Sequence, residues 1–176
     1  MAYLQLSKLG PGRVGNVLQC VSTSLTTTIA DTTQGWNDID GTNLAVSITL
    51  TTSSNKVLVM WNGGIGMHSG WTPVTRVVRD YSTATTICLV NTSTGGAPAG
   101  VSVSPGYSDS AEECADQAAN FLDSPGVADT AIEYKMQWFG RTDATGYNYA
   151  NRQSSGYSAS HYGAGISTLT LWEIGA

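Results

Sequence analysis

The sequence predicts an all-β protein, a two-layer sandwich of antiparallel sheets arranged like a jelly roll. Three observations predict it. Charged residues make up only 12% of the 176, while 19 serines, 22 threonines and 20 glycines carry much of the polarity. Threonine and valine suit a pleated strand, whereas serine, asparagine and glycine favour turns over helix. Apolar residues recur with period two in several segments, so one face of each segment is buried and the other is not. Finally, turn signals divide the chain into eight to ten short segments without heptads or a tandem period, the spacing expected of a sandwich. The length fits one domain.

Residues 1–16 carry Tyr3, Leu4, Leu6 and Leu9 and then break at Gly10, Pro11, Gly12 and Gly15. This predicts an N-terminal arm ahead of a β-sandwich domain at 17–176, because Gly-Pro-Gly continues neither helix nor ladder. Strands follow at VLQCVSTS and TTTIA, then, past a turn at Gln34-Gly35, at WNDI. After Asp40-Gly41, Leu44, Val46, Ile48 and Leu50 alternate with Ala45, Ser47 and Thr49. The segment KVLVMWNGGIG is nearly continuously apolar, and its Gly63 and Gly64 suggest a bulge or a close backbone approach. VTRVVRD and TTICLV come next.

In Ala131–Phe139, Ile132, Tyr134, Met136 and Trp138 share one face while Glu133, Lys135 and Gln137 share the other. In the terminal GISTLTLWEIGA, apolar groups lie on both sides, which places that strand inside a sheet or against another subunit. The expected exception is SAEECADQAA, residues 110–119, where Ser110 and Glu113 have capping-box spacing and a turn or two of helix is expected.

The net charge is −5 and the eight lysines and arginines are scattered singly, which argues against nucleic-acid binding. No apolar run approaches the ~20 residues of a membrane span, and the first residues lack the order of a secretory signal. The expectation is therefore a soluble chain made in a cytosol. Cys20, Cys88 and Cys114 are too widely spaced for a disulfide framework or zinc cluster and read mainly as small reduced hydrophobes.

Catalytic chemistry finds little support. His68 and His161 sit in Gly- and Ser-rich stretches outside any metal-ligand spacing, and read as loop histidines. No nucleophile elbow and no phosphate-binding glycine motif occurs. Asp38 with Asp40 reads as turn chemistry, and Asp109, Glu112, Glu113 and Asp116 as a solvated helix face, rather than a hydrolase pair or a calcium site. No catalytic residue, cofactor or metal ligand is expected. The remaining signal is aromatic: Tyr147, Tyr149, Tyr157 and Tyr162 lie among Gly, Ser and Asn, with Trp71 beside Gly70. Such rings can stack on a glycan, and equally can form cross-strand pairs or line a subunit contact.

The order VLQCVSTS, a Thr-rich second strand, NKVLVMWNGGIG, FLDSP at Phe121 to Pro125, IEYKMQWF and STLTLWEIGA resembles the β-sandwich module of tailed-phage virion proteins. These are found at the ends of tail fibres and tailspikes and in capsid decoration (cement) proteins. The resemblance spans roughly residues 17–176 and implies a non-enzymatic homotrimer. The acid- and Cys-containing stretch 109–123 and the short leader depart from the fibre pattern. Independently, Leu169 and Leu171 opposite Trp172 would expose apolar surface that a cyclic assembly could cover.

Two functions follow as expectations. One is a trimeric decoration protein, assembled in the host cytoplasm and seated on the capsid exterior. Its Tyr3, Leu4, Leu6 and Leu9 would contact the major capsid protein, since a fibre would also need an anchor and a shaft. The other is a distal receptor-binding module recognising host surface polysaccharide through Trp71, Tyr147, Tyr149, Tyr157 and Tyr162.

Overall fold

The structure, a computed structural model, describes residues 15–39, 44–67, 74–80, 85–87, 100, 102–103, 114–140, 148–151 and 165–176. Among them are twelve strands. They are β1 (Val17–Leu25), β2 (Ile29–Asp31), β3 (Gly35–Asp38), β4 (Ala45–Thr49), β5 (Lys56–Met67), β6 (Val74–Asp80), β7 (Thr85–Ile87), β8 (Ser102–Val103), β9 (Cys114–Asp123), β10 (Ala131–Gly140), β11 (Asn148–Ala150) and β12 (Ser167–Ile174). The count exceeds the sequence expectation because several strands have only two or three residues.

Two antiparallel six-stranded sheets form a sandwich. In sheet A, β5 is flanked on one edge by β12 and then β11, and on the other by a ten-residue ladder to β9. β1 lies outside β12 and β2 outside β11. In sheet B, β10 is central. One edge carries β3 and β4, which divide at Met136: its N–H donates to Leu44 O and its carbonyl accepts from Ile39 N–H. The other edge carries β6, which holds β7 and β8.

The alternating segments behave as their sequence dictates. Leu44, Val46, Ile48 and Leu50 are buried, as are Ile132, Tyr134, Met136 and Trp138, and these rows meet Val57, Val59, Trp61, Leu169 and Leu171 of sheet A in one core. Each such side chain contributes about 1.5–3 kcal/mol by leaving water. The indole N–H groups of Trp61 and Trp138 find no acceptor among the described residues. Each costs about 1–3 kcal/mol, which ring burial offsets.

The terminal strand lies inside its sheet, between β1 and β5. However, Leu169 and Leu171 point into the chain's own core and are fully buried. They need no partner subunit, contrary to the expectation from alternation. The outward set on β12 contains Trp172 instead.

The expected helix is also corrected. Residues 114–119 belong to β9, whereas 110–113 lie outside the described residues. Local helix preference there amounts to tenths of a kcal/mol per residue. Pairing with β5 instead gives the segment a ten-residue antiparallel ladder and packs Ala119 and Phe121 on the core. Gly63 is closely approached, but by side chains rather than by the expected backbone, and without a bulge: a Cβ there would collide with Ser167 Oγ and the Trp61 ring.

Of the expected arm, residues 1–14 lie outside the described residues. Residues 15 and 16 already belong to the body, because Gly15 N–H donates to Gly175 O and Gly175 N–H to Asn16 O.

Candidate functional site

The carboxylates of the two most distinctive motifs, Asp123 of FLDSP and Glu173 of the L-x-L-x-E-I ending, both point between the sheets. β9 brings Asp123 over sheet B, where Arg79 Nη1 donates to both of its oxygens at 2.8 and 2.7 Å and Tyr134 OH donates to Oδ2 at 2.7 Å. Burial, then the hydrogen bond and charge of Asp123, push the Tyr134 hydroxyl well above the ordinary tyrosine range. This cluster ties β9 to β6 and β10.

Glu173 has no exposed surface. Its Oε1 accepts from Thr51 N–H at 2.7 Å, Thr51 Oγ1 at 2.8 Å and Asn55 Nδ2 at 2.6 Å, while Oε2 accepts from Gln19 Nε2 at 2.6 Å. Gln19 Nε2 also reaches Thr49 O, and Asn55 Oδ1 accepts from Ala176 N–H. Burial alone would raise the Glu173 pKa, but these donors outweigh it and hold the carboxyl below its ordinary value. The result joins β1 and β12 of sheet A to the turn after β4 of sheet B. A third tie is Thr75 Oγ1 donating to Gln117 Oε1 at 2.7 Å, both residues buried.

These acids are occupied in holding the sandwich together. Asp38 likewise pairs with Lys135 at 3.0 Å and accepts from Gln137 Nε2 at 2.6 Å; Asp40 lies outside the described residues. Asp116 sits on β9 as an exposed strand residue rather than on a helix face. Among the described residues no group of three His, Cys, Asp or Glu could hold a metal ion, and no helix is long and apolar enough to cross a membrane.

Of the aromatic glycan candidates, only Tyr149 is described; Trp71, Tyr147, Tyr157 and Tyr162 lie outside the described residues, as do Tyr3, Leu4, Leu6 and Leu9. Tyr149 is 1% exposed. Its strand is held between β2 and β5, with both faces covered, so its ring cannot stack on a sugar in this fold. His68 and His161 also lie outside the described residues.

What the sandwich offers a partner is its two outer faces, and they differ. On sheet B, partly exposed Trp36 lies under the Arg76 guanidinium, 4.1 Å from the ring centroid, and meets Phe139 edge-on at 5.4 Å. Charge surrounds them: Asp38, Asp80, Glu133 and Lys135 share that side by the register of β3, β6 and β10.

On sheet A, the register lines up Cys20, Trp172, Leu58 and Leu122 across four strands, an apolar row with no charge. The adjoining row is Ser22, Thr170, Met60 and Asn120, with Ser22 Oγ and Thr170 Oγ1 hydrogen-bonded at 2.8 Å. Sequence reading missed this face because its row is assembled from four distant segments. The only local signal was the tryptophan in the terminal strand.

No protein-family model and no curated protein matches the sequence. Among solved structures, the chain is similar to one described as the structure of infectious bursal disease virus Gx strain, at 10% sequence identity and a TM-score of 0.38. The match covers 98% of this chain and 41% of the other, so this chain spans less than half the length of that neighbour.

Proposed function

We propose that the chain is a structural subunit of a virus particle, without enzymatic activity, and specifically a trimeric decoration protein on the exterior of a tailed-phage capsid. The observation that carries this reading is the use made of Asp123 and Glu173. The motifs that resemble phage β-sandwich modules place their acids between the sheets as cross-ties, so the resemblance is one of architecture rather than of a reaction. In this reading Tyr3, Leu4, Leu6 and Leu9 of the arm dock into grooves of the major capsid protein and become ordered on binding.

The test is addition of purified protein to undecorated shells. Deleting residues 1–12, which stops short of the hydrogen bonds at Gly15, should abolish shell binding and leave self-association intact. Shell binding undiminished by the deletion would remove the arm from the proposal. Labelled protein imaged on tails rather than heads would replace the decoration role with the receptor-binding one.

That second reading, glycan recognition at a tail tip, draws on the partly exposed Trp36–Phe139 pair beside Asp38 and Gln137. This is the mixture of ring and hydrogen-bonding groups that suits a sugar. Trp36→Ala should then weaken adsorption to host cells, and unchanged adsorption would leave the reading without a site among the described residues.

A further inference from the structure

Three large hydrophobic side chains are more than a third exposed among the described residues: Met60 at 38%, Leu122 at 50% and Ile166 at 57%. Met60 and Leu122 are outward residues of β5 and β9 on sheet A, and Ile166 immediately precedes β12 at the far end of the same sheet. Among the described residues, the exposed large apolar side chains therefore belong to one sheet. Charge is distributed the opposite way. On the outer face of the β1–β12–β5–β9 portion the only charged residues are Lys56 and Asp116, paired with Ile174 at one end and Gly64 near the other. The opposite sheet carries Asp38, Arg76, Asp80, Glu133 and Lys135 on its outer side.

A soluble sheet face normally keeps charge on its outward positions, which both solvates it and discourages unwanted pairing. A face that lacks charge in its middle and exposes methionine and leucine has the composition of an interface core.

We propose that this outer face of sheet A is the surface on which copies of this chain meet one another. The inference rests on the reading of the protein as a self-associating particle subunit and assigns that association a place. The occupant is a second copy rather than a charged partner, since the face offers just one charge of each sign, at its two ends. Its size also suits a second copy. Four strands about 4.8 Å apart and four rows of outward residues span roughly 15–20 by 25 Å in projection. That projection, roughly 375–500 Å², is about half of the ~800 Å² per partner of a standard interface, and the relief of the standing side chains adds to it. The row Cys20, Trp172, Leu58 and Leu122 supplies the apolar centre, and the hydroxyls and amides of the next rows supply pairing groups that need no counter-ion.

Full-length protein is examined by sedimentation velocity between about 1 and 50 μM, beside Met60→Glu, Leu122→Glu and the control Ser47→Glu, an exposed outward position of β4 in sheet B. The first two should sediment as single subunits with β-type circular dichroism, their association weakened at least 100-fold, while Ser47→Glu keeps the wild-type mass. A second measurement needs no substitution. Peroxide oxidation of Met60, followed by mass spectrometry, should be at least 10-fold slower in the assembled protein than in dilute single subunits.

Wild-type mass in both glutamate variants, or Met60 oxidised at the single-subunit rate within the assembly, would overturn the assignment and leave self-association standing. A wild-type chain that remains single at 50 μM would remove self-association itself. Met60 protected in a single subunit would put another occupant, such as residues 1–14, on the face and overturn the second copy.

Discussion

Asn55 Nδ2 donates to Glu173 Oε1 at 2.6 Å between residues 118 apart in the chain, and through this contact the turn after β4 is closed onto the last strand. Because Glu173 is fully buried and accepts four hydrogen bonds, its contribution depends on remaining ionised. Glu173→Gln would turn an amide donor toward the Gln19 donor or remove an acceptor from Thr51 and Asn55. It should cost about 2 kcal/mol at pH 7 and lower Tm by about 4–8 °C.

The same contact predicts an acid dependence. The folded carboxyl lies below its ordinary value of 4.5, so the unfolded chain takes up the proton first. The stabilisation is fully present above the unfolded value and is lost as pH falls through the folded one. Thermal unfolding of wild type and Glu173→Gln should therefore converge as the pH is lowered from neutral through 4.5 and on through the folded value. A gap that stays constant across that range would show that the charge of Glu173 does not contribute.

Asp123 of sheet A accepts from both Arg79 and Tyr134 of sheet B, so its removal should cost more than the loss of either donor. Tyr134→Phe should cost about 1 kcal/mol. Asp123→Ala should cost about 3 kcal/mol, because it leaves the Arg79 charge largely buried without its carboxylate. A double-mutant cycle should show coupling of about 0.5 kcal/mol or more between Tyr134 and Asp123; strict additivity would argue against the contact.

Gly63 is required by the space between Trp61 and Ser167. Gly63→Ala should destabilise by about 1–3 kcal/mol through overpacking, despite the better strand entropy of alanine. Chemical denaturation checks it, and an unchanged midpoint would mean that Trp61 moves freely aside.

Burial and the nearby charge of Asp116 push the Cys114 thiol up to about 11 from 9.0, and burial alone raises Cys20. Because the thiolate is the reactive form, alkylation of Cys114 at pH 8 should run about 100-fold slower than for an ordinary thiol of pKa 9.0, the ratio expected from two pKa units. Peptide mapping after timed iodoacetamide treatment reads it. Labelling of native Cys114 at the unfolded rate would contradict the burial.

The sequence by itself determined the alternating strands and which of their residues face inward. Val46, Ile48, Tyr134 and Met136 lie where period two puts them, because side-chain direction in a strand is a local property of the backbone. Pairing is not local, and only the tertiary structure decided it. Residues 114–119 became a strand because β5 offered an edge. Tyr149 lost its surface because β2 and β5 closed on both sides of its strand. Leu169 and Leu171 turned inward beside Glu173, leaving Trp172 to the outside. The alternation of STLTLWEI is apolar on both sides, so it could not say which side is the core. The donors from Gln19, Thr51 and Asn55 settle it, since a carboxylate can enter the interior only where such groups await it.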